Sequence, residues 1–457
     1  MYSQEIQPGF WKLHGPHGRS WKSHAEGAKL SGLGKAAFVC LWLLVFAIPW
    51  EDAITIGSFG TSARLIGFVA VAFGLLAIFE RGKVRQPAPA HLLMLLFIAI
   101  AGMSYSWSLY PEGTLAQTFT YLQLFIMVWL IWEIAARPQE QMRLMQAYVL
   151  GTIVSGVDTV YLYLSHQESA YQRYSGAGLN ANDLGLIVAL SIPISYYLLI
   201  QSSKPIVWVY RLQLALAGTT ILLTASRGAT LAGVVAFAIV PLTHTSLTTR
   251  QRILILVTAS LLIYGALAFV PATSWERLST MPDEFSQGTL TGRTIIWKTG
   301  WDLFRANPYL GIGANTFRLI ASRLLAEPIP TDQVGLQSMP AAHNTFLSVL
   351  VEQGIVGFAV FCGILGVLVL SLGAMPIFQR KFWIVCLAVW VVGVAGLTWE
   401  MRKPTWFLFG LLAAQSGCIR KGLVRAGRVF DSFRSIPYES FAVEGLDSSA
   451  RACEQES

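Results

Sequence analysis

A succession of long apolar runs is the feature that most constrains how this chain folds. About twelve stretches reach the roughly 20 apolar residues that a helix needs to cross the hydrocarbon core of a bilayer. Runs such as LLMLLFIAIAG do not alternate between apolar and polar residues, so they predict helices rather than strands. Only 13% of the 457 residues are charged, too few to cover a soluble domain. The sequence therefore predicts an all-α polytopic membrane protein, with spans at 36–56, 62–80, 90–107, 116–136, 142–165, 183–202, 207–225, 229–244, 252–271, 345–372, 382–400 and 404–419.

Basic residues recur in every second loop between these spans, and this pattern predicts the orientation of the chain. Arg81 follows the second span, and Arg380 precedes the eleventh. By the positive-inside rule these loops face the cytoplasm, as do both termini. Because the net charge of +8 is distributed by topology, it does not indicate a nucleic-acid partner. We predict a basic cytoplasmic tail at 1–35, a transmembrane domain at 36–419 and a second cytoplasmic tail at 420–457.

A long polar segment at 272–343, called the outer loop below, lies on the opposite side from the cytoplasm in this topology. Apolar residues recur at helical spacing in TIIWKTGWDLFRA and ANTFRLIASRLLA, which predicts amphipathic helices lying on the bilayer surface. Loops of this length inside a compact protein usually have a function, such as a lid or a binding cap. We therefore expect the outer loop to contribute to the functional site.

The predicted topology disfavours basic residues on the outer side, so those that occur there are candidates for anion binding. Arg173 follows the fifth span, Arg227 lies between the seventh and eighth, Arg293 lies in the outer loop, and Arg402 and Lys403 precede the last span. A guanidinium group donates paired hydrogen bonds to phosphate and stays charged. The alternative for any one of them is contact with lipid headgroups. Taken together, they indicate a site for a phosphate group.

His343 is the candidate proton acceptor. Of the seven histidines, the topology places only His166 and His343 on the outer side, and His343 lies where the outer loop meets the tenth span. That position is partly desolvated yet reachable, which suits a general base that works near neutral pH. The alternative is an ordinary residue at the start of a helix.

Other chemistries are not indicated by the sequence. None of the five cysteines has metal-ligand spacing, the outer loop contains no Asp-x-Asp, and no pair of carboxylates is singled out for glycosidase chemistry. We expect no metal and no cofactor. Glu352 and Asp158 are interpreted as buried charges that need partners. Asn180 is interpreted as a helix cap or as a contact to a bound substrate.

Three motifs resemble those of the O-antigen ligases, a family in the same superfamily as the O-antigen polymerases. The pair His343-Asn344, then nine intervening residues and GIVG beginning at Gly354, looks like the family's signature. SRGATL around Arg227 is similar to a second motif, and GRTIIW around Arg293, followed by GIG, resembles the family's outer-loop pattern. The motifs occur in order and on the predicted outer face, and the resemblance covers the whole topology.

The resemblance implies a fold like that of the C-type glycosyltransferases, in a bacterial inner membrane, with a periplasmic active site. It implies a glycan donor linked to undecaprenyl diphosphate and, as acceptor, a sugar hydroxyl of lipid A–core, without a cofactor. Arg227, Arg293 and Arg173 would hold the diphosphate, and His343 would be the general base of an inverting displacement. Supporting roles would fall to Asn344, Arg402, Lys403, Asn180 and Trp297.

Several alternatives remain at this point. An O-antigen polymerase would use a growing glycan as its acceptor, and a protein O-oligosaccharyltransferase would use a protein hydroxyl. A transporter or flippase for lipid-linked polysaccharide is the alternative from a different class, but it predicts broken helices and charges at mid-depth. Here the distinctive polar residues gather on one face. The sequence does not specify the sugars, the acceptor position or the oligomeric state.

Overall fold

The computed structural model describes residues 30–56, 60–166, 173–202, 205–243, 293–325 and 341–434, with side chains as far as residue 419. These residues are mostly helical, and one short antiparallel pair of strands, β1 (Thr55–Ile56) and β2 (Gly60–Thr61), joins the first two helices. Within the described ranges, eight helical segments are long and apolar enough to cross a membrane. The predicted all-α polytopic fold is confirmed.

The helices follow the apolar runs of the sequence closely. Most predicted spans coincide with a helix, but the run at 229–244 is divided between two helices and the run at 382–400 is helical only as far as Val394. The predicted span at 252–271 lies outside the described residues. Two of these helices are apolar but shorter than a full span, namely α7 and α8. In order, the helices are α1 (Gly32–Ala47), α2 (Ser62–Arg81), α3 (Pro89–Met103), α4 (Pro111–Ile134), α5 (Pro138–Leu164), α6 (Ala181–Gln201), α7 (Val207–Leu223), α8 (Arg227–Phe237), α9 (Ile239–Thr243), α10 (Arg293–Ala306), α11 (Phe317–Leu325), α12 (Thr345–Ser371), α13 (Ile377–Val394) and α14 (Lys403–Arg434).

Helix α6 forms the centre of the bundle. It packs against α5, α7, α8 and α13, and nearly all of its side chains are buried, as expected for a helix that is apolar on every side. Two of its hydroxyl groups pair with Gln213 of α7: the Gln213 side-chain amide donates to Ser191 Oγ at 2.6 Å, and Ser195 Oγ donates to Gln213 Oε1 at 2.6 Å. Because α6 is packed on all sides, the position of its N-terminus in the bundle is fixed.

Loops predicted to be cytoplasmic meet at one end of the bundle. Arg81 forms an ion pair with Glu133, the Arg85 guanidinium lies 4.0 Å from the centre of the Trp132 ring, and Lys381 donates to the Leu242 carbonyl at 2.7 Å. The loops predicted to lie outside contact one another at the opposite end. The division of charge between the two ends therefore agrees with antiparallel helices, while the orientation in a membrane stays a prediction.

Helices α10 and α11 confirm the two helices predicted in the outer loop. Their apolar sides pack on each other and on the start of α12, where Phe317 and Val351 are fully buried beside the partly buried Phe304 and Ile320. Trp301 remains exposed on the other side of α10. The helices therefore dock on the bundle, and their placement on a bilayer surface stays a prediction.

Helix α12 is interrupted at Gly354, and the outer loop fills the interruption. Gly354 has φ +63° and ψ −169°, a conformation essentially restricted to glycine. Residues 308–313, called the strap, pair with the exposed backbone: Ile312 N–H donates to the Val351 carbonyl at 3.0 Å, and Ile355 N–H donates to the Pro308 carbonyl at 2.9 Å. The GIG motif thus meets the GIVG motif, and this contact fixes the outer loop beside His343.

Candidate functional site

His343 sits at the junction between the outer loop and α12 in a left-handed conformation, with φ +47°. The next residue, Asn344, is the N-cap of α12, because its Oδ1 accepts the Leu347 N–H at 3.0 Å. Contacts on both sides hold the junction: Trp297 Nε1 donates to the Ala342 carbonyl at 2.9 Å, and Thr345 Oγ1 donates to the Leu397 carbonyl at 2.9 Å. Asn344 and Trp297 therefore have positioning contacts around His343.

The surroundings of His343 favour its neutral form. Burial lowers the pKa of the imidazole, and the positive charges of Arg293 and Arg318 lower it further, while Asp183 acts in the opposite direction. The imidazole is therefore unprotonated at neutral pH and can accept a proton. These interactions also show that His343, Arg293 and Asp183 lie in one region, although they are far apart in the sequence.

Asn182 joins Arg173 to Ser226, the residue that precedes Arg227. Arg173 donates to the Thr224 carbonyl and to Asn182 Oδ1, both at 2.8 Å, and Ser226 Oγ donates to the same Asn182 oxygen at 2.8 Å. Ser226 is also the N-cap of α8, so Arg227 is the first residue of that helix. Arg173 and the N-cap of α8 thus share one hydrogen-bond acceptor in the first turn of α6.

Arg293 joins this group from the outer loop. It begins α10 and lines a small pocket together with Asn182, Ser226 and Gly396. A Cβ atom on Gly396 would lie 3.2 Å from Arg293 Nη1, so the glycine lets the guanidinium approach the backbone between α13 and α14. The residues that line this pocket therefore include Arg293, whereas Arg173 and Arg227 adjoin it through their neighbours Asn182 and Ser226.

Arg402 and Lys403 are held by carboxylates. Arg402 Nη2 lies 2.7 Å from Asp183 Oδ2, and Lys403 forms an ion pair with Glu51. Asp183 is 5% exposed and also accepts the Trp399 indole N–H at 2.6 Å. These two basic residues therefore fix the start of α14 against the rest of the end of the bundle.

Asn180 is the N-cap of α6, as one of its two interpretations predicted. Its Oδ1 accepts the N–H groups of Asn182 at 3.1 Å and Asp183 at 3.0 Å. Its side-chain amide donates to the Asp183 carboxylate. Asn180 thus orients Asp183, the acid that opposes the two arginines at His343.

Buried acids near the site have partners in the backbone or in hydroxyl groups. Glu352 accepts the N–H groups of Asn315 at 2.9 Å and Phe317 at 3.2 Å. Glu400 is 2% exposed and accepts the Ser348 Oγ–H at 2.8 Å. Asp158 is only half-buried and accepts the Ala177 N–H at 2.7 Å. Glu352 and Asp158, the two acids that the sequence analysis singled out, therefore both accept hydrogen bonds from backbone N–H groups.

Sequence reasoning missed Arg318, Asp183 and Glu400 as parts of this region. Arg318 lies on an amphipathic helix, where a charged residue ordinarily faces water, so nothing in the local pattern distinguishes it. Asp183 carries a weak signal, because an acidic residue in the first turn after an Asn cap is typical of helix starts. Across the residues described here, no group of three or more His, Cys, Asp or Glu side chains converges as a metal site would require. Independence from metal ions stays a prediction.

Comparisons with known proteins agree with the motifs. Residues 212–362 match the family model described as O-antigen ligase, a segment that includes Arg227, Arg293, His343 and both glycine motifs. The chain is also similar to the exopolysaccharide production protein ExoQ of Rhizobium meliloti (strain 1021). The two are 24% identical over 328 residues, which cover 67% of this chain and 71% of that protein. The match supports a role in glycosyl transfer at a membrane.

Proposed function

We propose that this chain transfers a glycan from undecaprenyl diphosphate to a sugar hydroxyl of lipid A–core, a proposal supported by the match of residues 212–362 to the family model described as O-antigen ligase. The observation that carries the proposal is the position of His343, whose pKa is lowered by burial and by Arg293 and Arg318. A neutral base beside positively charged groups is what a reaction needs when a hydroxyl group attacks and an anion leaves.

In the proposed reaction His343 accepts the proton of the acceptor hydroxyl while that oxygen attacks the anomeric carbon of the donor sugar. The bond between the anomeric carbon and the diphosphate oxygen breaks, and its electron pair stays on the departing lipid diphosphate. Attack opposite the leaving group inverts the anomeric centre. Assistance by a general base typically contributes about 10²–10⁴-fold to the rate.

The three arginines would stabilise the leaving diphosphate. Arg227 and Arg293 approach from two helix starts, and Arg173 is anchored by the Thr224 carbonyl and by Asn182. Groups held in place before the reaction need no reorganisation when negative charge develops on the leaving group. The donor is already activated, so the proposal requires neither a nucleotide nor a metal ion.

The proposed location is the bacterial inner membrane, with membrane lipids around the domain at 36–419 and the active site in the periplasm. Tails at 1–35 and 420–457 would lie in the cytoplasm. The distribution of basic residues supports this orientation, because Arg81, Arg85 and Lys381 lie at the end of the bundle opposite His343.

A second candidate is a polymerase that adds the glycan to another lipid-linked glycan. The similarity to a protein named for exopolysaccharide production favours it, because forming a polymer calls for a glycan acceptor. Both candidates use the same donor and the same base. A protein O-oligosaccharyltransferase would differ from both candidates only in its acceptor, a protein hydroxyl. A flippase would need no acceptor.

The acceptor distinguishes these candidates experimentally. The full chain, reconstituted in liposomes, would receive a lipid-diphosphate-linked glycan together with lipid A–core, a second lipid-linked glycan or a hydroxyl-rich protein. We expect a glycosylated lipid A–core product. Exclusive formation of longer lipid-linked glycans would replace the ligase proposal by the polymerase, and movement of the donor across the bilayer without any product would indicate a flippase.

A further inference from the structure

A second concavity lies at the same end of the bundle, away from the pocket that contains Arg293. It has a volume of about 500 Å³ and is lined by Trp50, Ala53, Ile54, Val154, Asp158, Ala177 and Gly178. Pockets for small ligands span about 300–1,000 Å³ and combine apolar walls with a few polar groups. This cavity has that composition, since one aromatic ring and one carboxylate stand among aliphatic and backbone surfaces.

The walls of this cavity are closely packed. A Cβ atom on Gly178, which has φ +68°, would lie 2.5 Å from the Asp52 carbonyl, and one on Gly176 would lie 2.8 Å from Asp158 Oδ2. Both glycines let the loop before α6 lie directly on its neighbours. The Ala177 N–H donates to Asp158 Oδ2 at 2.7 Å, which fixes the carboxylate. The cavity is therefore a built feature with its acid held in place.

Trp50 leaves a hydrogen-bond donor without a partner. Its indole Nε1 is fully enclosed and forms no hydrogen bond to any residue that the structure describes. Because protein atoms shield this nitrogen, an occupant of the cavity would contact the ring of Trp50 rather than its N–H.

A series of contacts between charged side chains connects the cavity with the region of His343. Asp52, the neighbour of Ala53, has its Oδ2 at 4.0 Å from Arg402 Nη1, and the same guanidinium pairs with Asp183 at 2.7 Å. Asp183 in turn acts on the pKa of His343. These contacts bring the cavity next to the proposed transfer site, so the occupant considered is a further sugar of the glycan substrate.

We propose that this cavity binds a neutral pyranose ring of a glycan substrate, with Trp50 packing on the ring and Asp158 accepting its hydroxyl groups. The amphipathic indole suits a pyranose, which presents C–H groups and hydroxyl groups together. The negative charge of Asp158 discriminates against phosphorylated or acidic sugars, because like charges repel. The inference rests on the proposed function, since it adds a second sugar subsite to the transfer reaction.

Binding of small sugars tests the cavity without any transfer. The full chain in nanodiscs would be examined by saturation-transfer NMR with methyl glucoside, methyl galactoside and methyl mannoside, and with glucuronate and galactose 6-phosphate as charged comparators. At least one neutral pyranoside should bind, and the charged sugars should not. Trp50→Phe and Asp158→Asn should each weaken binding by roughly tenfold, because the first reduces the aromatic surface that packs on the sugar and the second removes a charged hydrogen-bond acceptor.

Matched substitutions outside the cavity control for general effects. Trp208→Phe changes an exposed tryptophan on α7, and Asp302→Asn changes an exposed carboxylate on α10. Both should bind like the wild type. Equal binding by all variants, failure of every neutral pyranoside to bind, or displacement of the sugar by an alkyl chain but not by a second sugar would overturn the proposal.

Kinetics of transfer then identify which substrate supplies the ring. An increased KM for the acceptor in Trp50→Phe and Asp158→Asn assigns the cavity to the acceptor, and an increased KM for the donor assigns it to the donor glycan. Either result supports the subsite, whereas unchanged values for both substrates contradict it. If no transfer occurs with any protein, the proposed function fails, while the NMR result still decides whether the cavity binds sugar.

Discussion

The carboxylate of Glu352 accepts the backbone N–H of Asn315 at 2.9 Å, across 37 residues of the chain. A second hydrogen bond, from the Phe317 N–H at 3.2 Å, ends on the other carboxylate oxygen. Together they attach the start of α11 to the interrupted turn of α12. The residue that follows Phe317 is Arg318, one of the charges that act on His343, so a buried acid in a membrane helix helps to position a charge of the site.

Replacing Glu352 by glutamine tests this attachment. One acceptor oxygen remains, but the other becomes an amide donor facing a backbone N–H, so we expect a loss of about 1–3 kcal/mol in the free energy of unfolding. Hydrogen exchange at the Asn315 and Phe317 amides should accelerate. Glu112→Gln, an exposed acid at the start of α4, is the matched control. Equal exchange rates at these amides in the wild type and in Glu352→Gln would exclude this role.

Gly354→Ala should disrupt the contact between the strap and α12. Its Cβ atom would collide with the Tyr309 carbonyl oxygen, and its backbone conformation would cost about 1–3 kcal/mol for any residue other than glycine. We expect a lower melting temperature and reduced transfer activity. Gly366→Ala in the same helix has no atom within 4 Å of its new Cβ and should be neutral or slightly stabilising. Similar melting temperatures for the two variants would contradict the proposed restriction at Gly354.

The pH dependence of transfer should report the low pKa of His343. A base works only when it is neutral, and the pKa lies below its ordinary value, so activity should persist at neutral pH and fall only as pH drops below about 6.5. Arg318→Gln removes a charge that lowers this pKa, so the acidic fall in kcat/KM should move to higher pH. Arg323→Gln, which changes an exposed arginine on the same helix, should leave the profile in place. A profile unchanged in Arg318→Gln would remove Arg318 from this role.

Arg293→Lys separates charge from geometry at the proposed donor site. Lysine keeps the positive charge but loses the paired donors of the guanidinium group, so we expect the KM for the donor to rise by roughly tenfold. Arg305→Lys in the same helix, where the guanidinium lies over Trp301 at 5.7 Å, is the control and should leave the donor KM unchanged. If Arg293→Lys altered only the KM for the acceptor, Arg293 would contact a different substrate from the one proposed.

Helix positions and motif order followed from the sequence because apolar periodicity and glycine or histidine spacing are local properties. The meeting of the strap with Gly354 did not follow, since it depends on backbone groups of two segments that no periodicity connects. The contacts of Asp183 with Trp399 and Arg402 join residues more than 200 positions apart for the same reason. The sequence made Arg402 a candidate for anion binding, and its pairing with Asp183 could not be predicted because that partner lies at the start of another helix.

The break within the eighth predicted span shows a further limit of apolar periodicity. The run at 229–244 is continuous in hydropathy, but the structure divides it at Ala238 into α8 and the short α9. Hydropathy records which residues avoid water, not where backbone hydrogen bonding changes register. The same limit applies to the last helix, which continues to Arg434, beyond the predicted end of the span at 419.

Reconstituted glycan transfer by wild type and His343→Ala tests the central claim most directly. The assay would contain lipid-diphosphate-linked glycan and lipid A–core, with a chelator and without nucleotide, and donor binding would be measured in parallel. We predict transfer by the wild type and a loss of about 10²–10⁴-fold in the variant, with donor binding retained. Full activity in a correctly folded His343→Ala protein would contradict the assignment of His343 as the base.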